Sequence, residues 1–482
     1  MPEMEFWSWP PRYDDGYLPD PRSRHWFPVR ETMPPGDRDR AILQRLREVC
    51  RYAHQHSPFY RRKWDEAGFH PDQLRSLEDF EERCPVVTKA DLRQAQQRAE
   101  PFGDYLCVPE DQVFHIHGTS GTTGRPTAFA ISREDWAAIA NAHARVMWGF
   151  GIRPGDMVFV AAILSLYMGS WGALAGAERL RCKAFPFGAG APGMTSRAAL
   201  WLDLMKPKAF YGTPSYALYL AEVARKERFD PRRFGLERMF FSGEPGASVP
   251  GVRDRIRDAF GAQVFDCGSM AEMSPFMNIA GSAETPEGML CWQDIIYTEV
   301  CDPRTFHRVP YGERGTPVYT HLERLSQPMI RLVSGDLTLW TDEPAPCGRT
   351  YPRLPNGIFG RIDDMFTIRG ENVYPSEIDA ALNQVEGYGG EHRIVITREG
   401  HMDELLLRVE PSPEAEARGA AAAAAFGDAV AKRIQTVLGL RAVVEVVASG
   451  TFPRTDFKAR RVVDDREVFR DLNRRLASER RG

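Results

Sequence analysis

No apolar run in this sequence is long enough to cross a bilayer: the longest, Met157 to Leu164, falls far short of the roughly 20 residues a transmembrane helix needs. Charge of one sign is missing too. A formal net charge of −4 and a pI near 6.3 give no global attraction to nucleic acid or to an anionic membrane, so any binding must be local. The opening Met1-Pro2-Glu3-Met4-Glu5 lacks a basic region followed by an apolar core, and no secretory leader is expected. The eight cysteines, at 50, 84, 107, 182, 267, 291, 301 and 347, form no C-x-x-C pair and no tight group with histidine. That scatter speaks against a disulfide framework and fits a reducing cytoplasm. There is no internal repeat, and there is no Walker-type phosphate loop: a second glycine five residues beyond Gly118 would fall on Thr123, and no Gly-Lys-Ser/Thr follows.

What is present is a chain of 482 residues, too long for one ordinary core, so two or more domains are expected. Its most unusual stretch is His115-Ile116-His117-Gly118-Thr119-Ser120-Gly121-Thr122-Thr123-Gly124-Arg125-Pro126-Thr127. Glycines let backbone N–H groups approach an anion closely, and Ser/Thr hydroxyls add donors without negative charge, so the stretch suits phosphate. On composition alone, a Ser/Thr/Gly-rich surface turn also accounts for it.

Around this loop the chain alternates. An aromatic and proline-rich arm, Phe6 to Pro11, cannot form a regular helix, and Ile42, Leu43, Leu46, Val49, Cys50 and Ala53 recur at helical spacing before Ser57-Pro58. Short β-rich runs follow at 113–116, 157–162, 209–211, 239–241 and 264–265, separated by helical patterns such as 215–225 and 252–260. The expected fold class is therefore α/β, with a parallel, doubly wound sheet and ligands beyond the carboxyl ends of its strands. Both the 118–124 loop and the Ser242-Gly243-Glu244-Pro245 turn fall at such ends. From Cys291 to Leu322 the pattern turns to strands, Trp292 to Cys301 and Pro317 to Leu322, which implies a small β-rich subdomain. After Gly360 an α+β unit is expected, with a helix at 375–385, strands at 393–397, 405–409 and near 443–447, and a long helix through the alanine run at 420–425.

The order of short motifs resembles the adenylate-forming superfamily of acyl-CoA ligases, nonribosomal adenylation domains and luciferases, in its phenylacetate-CoA ligase branch. The residues that carry the resemblance are Ser57-Pro58-Phe59-Tyr60-Arg61, Thr88-Lys89-Ala90-Asp91-Leu92-Arg93, Pro101-Phe102-Gly103, the 120–126 loop, Gly243-Glu244-Pro245, Glu272, Gly335-Asp336-Leu337, Gly360-Arg361-Ile362-Asp363-Asp364-Met365, Arg369-Gly370-Glu371 and Pro453-Arg454-Thr455 with Lys458. The resemblance implies a large N-terminal domain, 1–361, of doubly wound mixed sheets and a small mobile α+β domain, 362–482. It also implies a two-step reaction in which a carboxylate attacks ATP to give an acyl-adenylate, and the thiol of coenzyme A then displaces AMP.

The same resemblance distributes the roles. Thr119, Ser120, Gly121, Thr122, Thr123 and Gly124 would hold the β- and γ-phosphates, and Glu272 would anchor a magnesium ion. Gly243, Glu244, Pro245, Asp266 and Cys267 would wall the adenine, Asp336 would take the ribose hydroxyls, and Arg361 would contact phosphate or ribose. Asp363 matches the hinge, Arg369 and Gly370 the coenzyme A side, and Lys458 the catalytic ammonium brought to the α-phosphate. His117 would either wall the acyl pocket or orient the substrate carboxylate, unless it is a satisfied strand histidine. Tyr167, Met168, Trp171, Met270 and Ala271 would line that pocket, unless they are helix-packing core. Their bulk suits a small branched or 2-hydroxy acid such as 2-hydroxyisobutyrate as well as an arylacetate.

Some positions depart from the superfamily pattern. The loop is followed by Thr127 where a lysine is common, Gly268-Ser269-Met270-Ala271-Glu272 lacks the usual aromatic and hydroxyl, and Phe457 stands where a glycine usually precedes the lysine. No His is suitably spaced for the zinc site of some relatives, and none is expected. Two other functions fit the sequence: an adenylating enzyme that loads a carrier protein or an amine, and a catalytically silent nucleotide-binding protein. Expected partners are a small carboxylic acid and coenzyme A, in a cytoplasmic protein without nucleic acid or membrane, with a homodimer as an option.

Overall fold

The computed structural model describes residues 9–118, 126–189, 193–244, 246–268, 270–275, 277–362, 366–368, 371–373, 375–399, 402–452 and 462–464. The chain divides into two compact units, Met1–Ser248 with Arg255–Ile358, and Val249–Asp254 with Phe359–Gly482.

The first unit is organised by strands β1 (Val113–Gly118), β2 (Ala128–Ser132), β3 (Met157–Val160), β4 (Lys183–Pro186), β5 (Ala209–Gly212), β6 (Arg238–Phe241), β7 (Gln263–Gly268), β8 (Ile279–Ser282) and β9 (Thr285–Cys291). Strands β4-β3-β5-β6-β7 pair in parallel, and β8, β9 and the short strand Arg353–Leu354 extend the sheet antiparallel from β7. The parallel strands read as continuous apolar runs because helices cover both faces: all four residues of β5 are buried. Helices Arg133–Gly149, Met168–Arg179, Met194–Met205 and Pro214–Lys226 lie between the strands.

Strand β1 is not part of this sheet. It pairs antiparallel with β2 in a two-stranded ribbon, with His117 opposite Phe129 and Gly118 opposite Ala128. The expectation that the 118–124 loop follows a parallel strand is corrected: that loop joins the two arms of a hairpin. The local reason is polarity, since Phe114 and Ile116 are exposed while His117 is buried, a pattern for a ribbon with one covered face and not for a central strand.

A further antiparallel group joins Ile296–Cys301 to Arg314–His321, which in turn pairs with Leu332–Val333 and Asp336–Leu339. The expected strand from Trp292 starts four residues late because 292–295 form a turn that presents Asp294 to a buried ionic cluster. In that cluster Glu31 accepts from Arg349 Nε at 2.9 Å and Arg145 Nη2 at 3.4 Å, while Asp294 accepts from Arg145 Nη2 at 3.0 Å and from the Tyr351 hydroxyl at 2.6 Å. It ties the N-terminal arm, including buried Trp26 and Phe27, to the main core.

The second unit has its own core. Strands Tyr388–Glu399 and Met402–Pro411 form an antiparallel hairpin, flanked in parallel by Val462–Asp464 and Ala442–Val446. Helix Ala420–Leu438, which includes the alanine run, buries Phe426, Val430 and Ile434, and helix Pro375–Leu382 buries Ile378, Ala381 and Leu382. Among the described residues no helix is long and apolar enough to cross a membrane.

Candidate active site

The carboxyl ends of β5 and β6 bring three hydroxyls together. Tyr211, one residue before the end of β5, and Ser242, just after β6, are 2.6 Å apart, and Tyr167, the residue before helix Met168–Arg179, lies 3.0 Å from Ser242 and 3.3 Å from Tyr211. All three oxygens therefore form a closed ring. Burial raises both phenols above their ordinary range, so they stay protonated. Glycine is required beside them: a Cβ on Gly169 would come within 2.3 Å of the Tyr211 hydroxyl, and Gly243 has φ of +89° with its Cβ position 3.2 Å from the Tyr167 hydroxyl.

The neighbouring loop is pinned at both ends. Glu244 Oε1 accepts the backbone N–H of Ser215 at 2.7 Å, and Asp266 accepts that of Ser248 at 2.9 Å. Burial, with no cationic partner among the described residues, pushes the Asp266 carboxyl up to about 7. Cys267, on the opposite face of β7, is 1% exposed and donates its S–H to the Phe241 carbonyl at 3.2 Å, so its side chain belongs to the core.

On the β1 side, His117 Nδ1 lies 3.3 Å from the Leu166 carbonyl, next to Tyr167. Its ring is parallel to Trp136, at 6.2 Å and 4°, and to His115, at 5.8 Å and 14°, while Trp171 meets it edge-on at 6.4 Å. Burial depresses its pKa to about 4. The structure thus brings His117, Tyr167 and Trp171 together; Met168, 1% exposed, packs into the main core, and Met270 is buried against it with Ala271 alongside.

Glu272 is 5% exposed, with Oε1 3.4 Å from Lys89 Nζ and Oε2 unbonded among the described residues. A buried carboxylate with a spare oxygen and a movable cationic neighbour fits a divalent ion. Its loop is held from behind by His321, whose Nε2–H donates to the Ser274 carbonyl at 2.9 Å. Lys89 begins helix Lys89–Arg98, where Thr88 and Asp91 form a reciprocal cap.

Asp336 opens its strand and is half-buried, and Arg361 ends the strand Ile358–Arg361. Thr119, Ser120, Gly121, Thr122, Thr123, Gly124, Pro245, Asp363, Arg369, Gly370 and Lys458 lie outside the described residues. Sequence reasoning gave no role to Tyr211, Ser242, Trp136 or Lys89. Lys89 carried a signal as part of the quoted Thr88–Arg93 motif, and Ser242 as the first residue of the turn at a strand's carboxyl end; Tyr211 and Trp136 are ordinary strand and helix residues until the sheet order aligns them.

The AMP-binding enzyme family profile matches residues 66–319, and that of the AMP-binding enzyme C-terminal domain matches 370–466. The phenylacetate-coenzyme A ligase of Thermus thermophilus is 34% identical over 458 residues, covering 91% of this chain and 99% of that protein. The chain belongs to the adenylate-forming, AMP-binding enzyme family. Within it, the chain falls in the phenylacetate-CoA ligase-like branch; the Escherichia coli phenylacetate-coenzyme A ligase is 33% identical, covering 88% of this chain and 94% of that one. Among solved structures, 2-hydroxyisobutyryl-CoA ligase in a postadenylation state with 2-HIB-AMP has 72% identity and a TM-score of 0.93, covering 98% of this chain and 99% of that one. The same ligase with 2-HIB-AMP and CoA in the thioesterification state aligns with a TM-score of 0.75. The class is that of the AMP-forming acid–CoA ligases, with ATP and coenzyme A as co-substrates.

Proposed function

We propose that this ligase activates a short 2-hydroxy acid of the 2-hydroxyisobutyrate type, with Tyr167, Trp171 and His117 in the wall of the acyl site. The observation that carries the reading is the closed Tyr167–Ser242–Tyr211 hydroxyl ring. An arylacetate needs a deep apolar slot, whereas here the Tyr167 and Tyr211 hydroxyls fill the space beside Gly169, the Tyr167 hydroxyl borders Gly243, and the bulky Trp171 stands against His117. The 72% identity to a ligase solved with 2-HIB-AMP supports the same substrate class.

In this reading, the 119–124 segment supplies donors to the departing pyrophosphate, and Lys458 brings a point charge to the α-phosphate from a small domain beginning near residue 362. Asp336 and Arg361 hold the ribose side, Gly243 to Pro245 with Asp266 wall the adenine, and Asp363 serves as the hinge. Arg369 and Gly370 border the coenzyme A arm. Glu272 would hold magnesium, which neutralises phosphate charge when bound. The protein works in the cytoplasm, and a homodimer is its proposed assembly. ATP–pyrophosphate exchange across short 2-hydroxy, short aliphatic, benzoic and arylacetic acids tests the reading. Fastest exchange with a 2-hydroxy acid is expected; fastest exchange with an arylacetate would refute it.

A further inference from the structure

The wall built by His117 has a polarity that the hydroxyl ring lacks. A carbonyl can only accept, so the 3.3 Å contact between Nδ1 and Leu166 O requires the proton on Nδ1. The ring is neutral, because burial and the nearby His115 and Arg324 all disfavour a second proton. Nε2 is then a bare lone pair. His117 is 3% exposed, and its Nε2 takes no hydrogen bond from any described residue. Buried acceptors are normally satisfied, so an orphan next to the Tyr167 wall marks where a donor beyond the described residues belongs.

The setting of this ring is fixed. The ring lies parallel to Trp136 and His115, with Trp171 against its edge, and the Leu166 carbonyl that locks the tautomer immediately precedes Tyr167. A carboxylate carries only acceptors, and Nε2 would repel it; orienting the substrate carboxylate is therefore the wrong task for this tautomer. An alcohol has the required O–H.

Resting on the ligase reading above, we propose that His117 is the specificity-determining residue for the acid. Its Nε2 accepts a hydrogen bond from a hydroxyl on the acyl chain, so the enzyme selects hydroxy acids over acids in which hydrogen or methyl stands in place of that hydroxyl. The bond is made to the acid and leaves the reacting carboxyl group free.

The test compares kcat/KM for 2-hydroxyisobutyrate, isobutyrate and pivalate in the wild type, His117→Leu and His117→Asn, measured as pyrophosphate release. Both substitutions remove the acceptor at the Nε2 position, so either variant suffices if the other does not fold. The wild type is expected to favour the hydroxy acid strongly over pivalate, in which methyl replaces hydroxyl. In the variants that ratio should fall roughly tenfold or more, because hydroxy-acid activity drops further than pivalate turnover. A purely structural histidine would lower all three acids together and leave the ratio intact, which overturns the inference. A wild-type enzyme that turns over all three acids equally overturns it without any variant. Turnover of phenylacetate with none of these three would instead refute the substrate class beneath it.

Discussion

Lys89 Nζ stands 3.4 Å from Glu272 Oε1, a half-exposed ammonium against a carboxylate that is 5% exposed and whose other oxygen is unbonded among the described residues. The pair gives Glu272 one cation while leaving room for another. Glu272→Gln should therefore lower ATP–pyrophosphate exchange by about 100-fold or more, the range seen when one electrostatic stabiliser is lost. The melting temperature should hold, because the amide removes a buried charge without changing shape. Unchanged exchange at all magnesium concentrations would exclude Glu272 as the metal anchor.

The arginine cluster of the first unit makes a different prediction. Glu31 faces Arg349 at 2.9 Å and Arg145 at 3.4 Å, all of them buried. Glu31→Ala leaves two buried guanidiniums short of a counter-charge and should destabilise the first unit by roughly 3–5 kcal/mol, read as a lower denaturant midpoint. Loss below 1 kcal/mol would mean that Asp294 alone compensates both arginines.

Two glycines of one helix should separate activity from stability. A Cβ on Gly172 would meet His143 Nε2 at 2.4 Å in the tight contact with helix Arg133–Gly149, so Gly172→Ala should destabilise by about 1–3 kcal/mol. A Cβ on Gly169 would press on Tyr211 and Tyr167, so Gly169→Ala should chiefly raise KM for the acid. Kinetics and thermal melts on the two variants check the split.

Burial gives Asp266 a pH signature. Its folded pKa of about 7 lies above the ordinary carboxylate range, so the native state holds the proton more tightly than the unfolded chain. Its contribution to stability is fully present below pH ~4 and is lost as pH rises toward ~7. Asp266→Asn keeps an acceptor for the Ser248 N–H. The variant should gain on wild type by a few kcal/mol between pH ~4 and ~8. Parallel stability curves for the two proteins would show that the carboxyl is not buried in this way.

Much of this was legible in the sequence, for identifiable reasons. Helix 35–56 follows from the 3.6-residue recurrence of Ile42 to Ala53, and helix 420–438 from the propensity of its alanines. Strand β1 misled because a short apolar run does not reveal its partners: only the β1–β2 register shows a hairpin. The strand expected from Trp292 misled because the reason for its late start, Asp294 among arginines at positions 30 and 145, is a long-range ionic cluster with no local pattern. At the candidate site, Tyr167 and His117 were named by family resemblance. Tyr211 was not, and Ser242 showed only as the start of its turn, since their meeting depends on β5 and β6 being neighbours in the sheet.

The most direct measurement is a mass-resolved assay of the complete reaction, with ATP, magnesium, coenzyme A and equimolar 2-hydroxyisobutyrate and phenylacetate in one mixture. The proposed hydroxyl-lined acyl site requires 2-hydroxyisobutyryl-CoA as the dominant thioester, formed in step with AMP. Dominant phenylacetyl-CoA, or AMP release without any thioester, would contradict it.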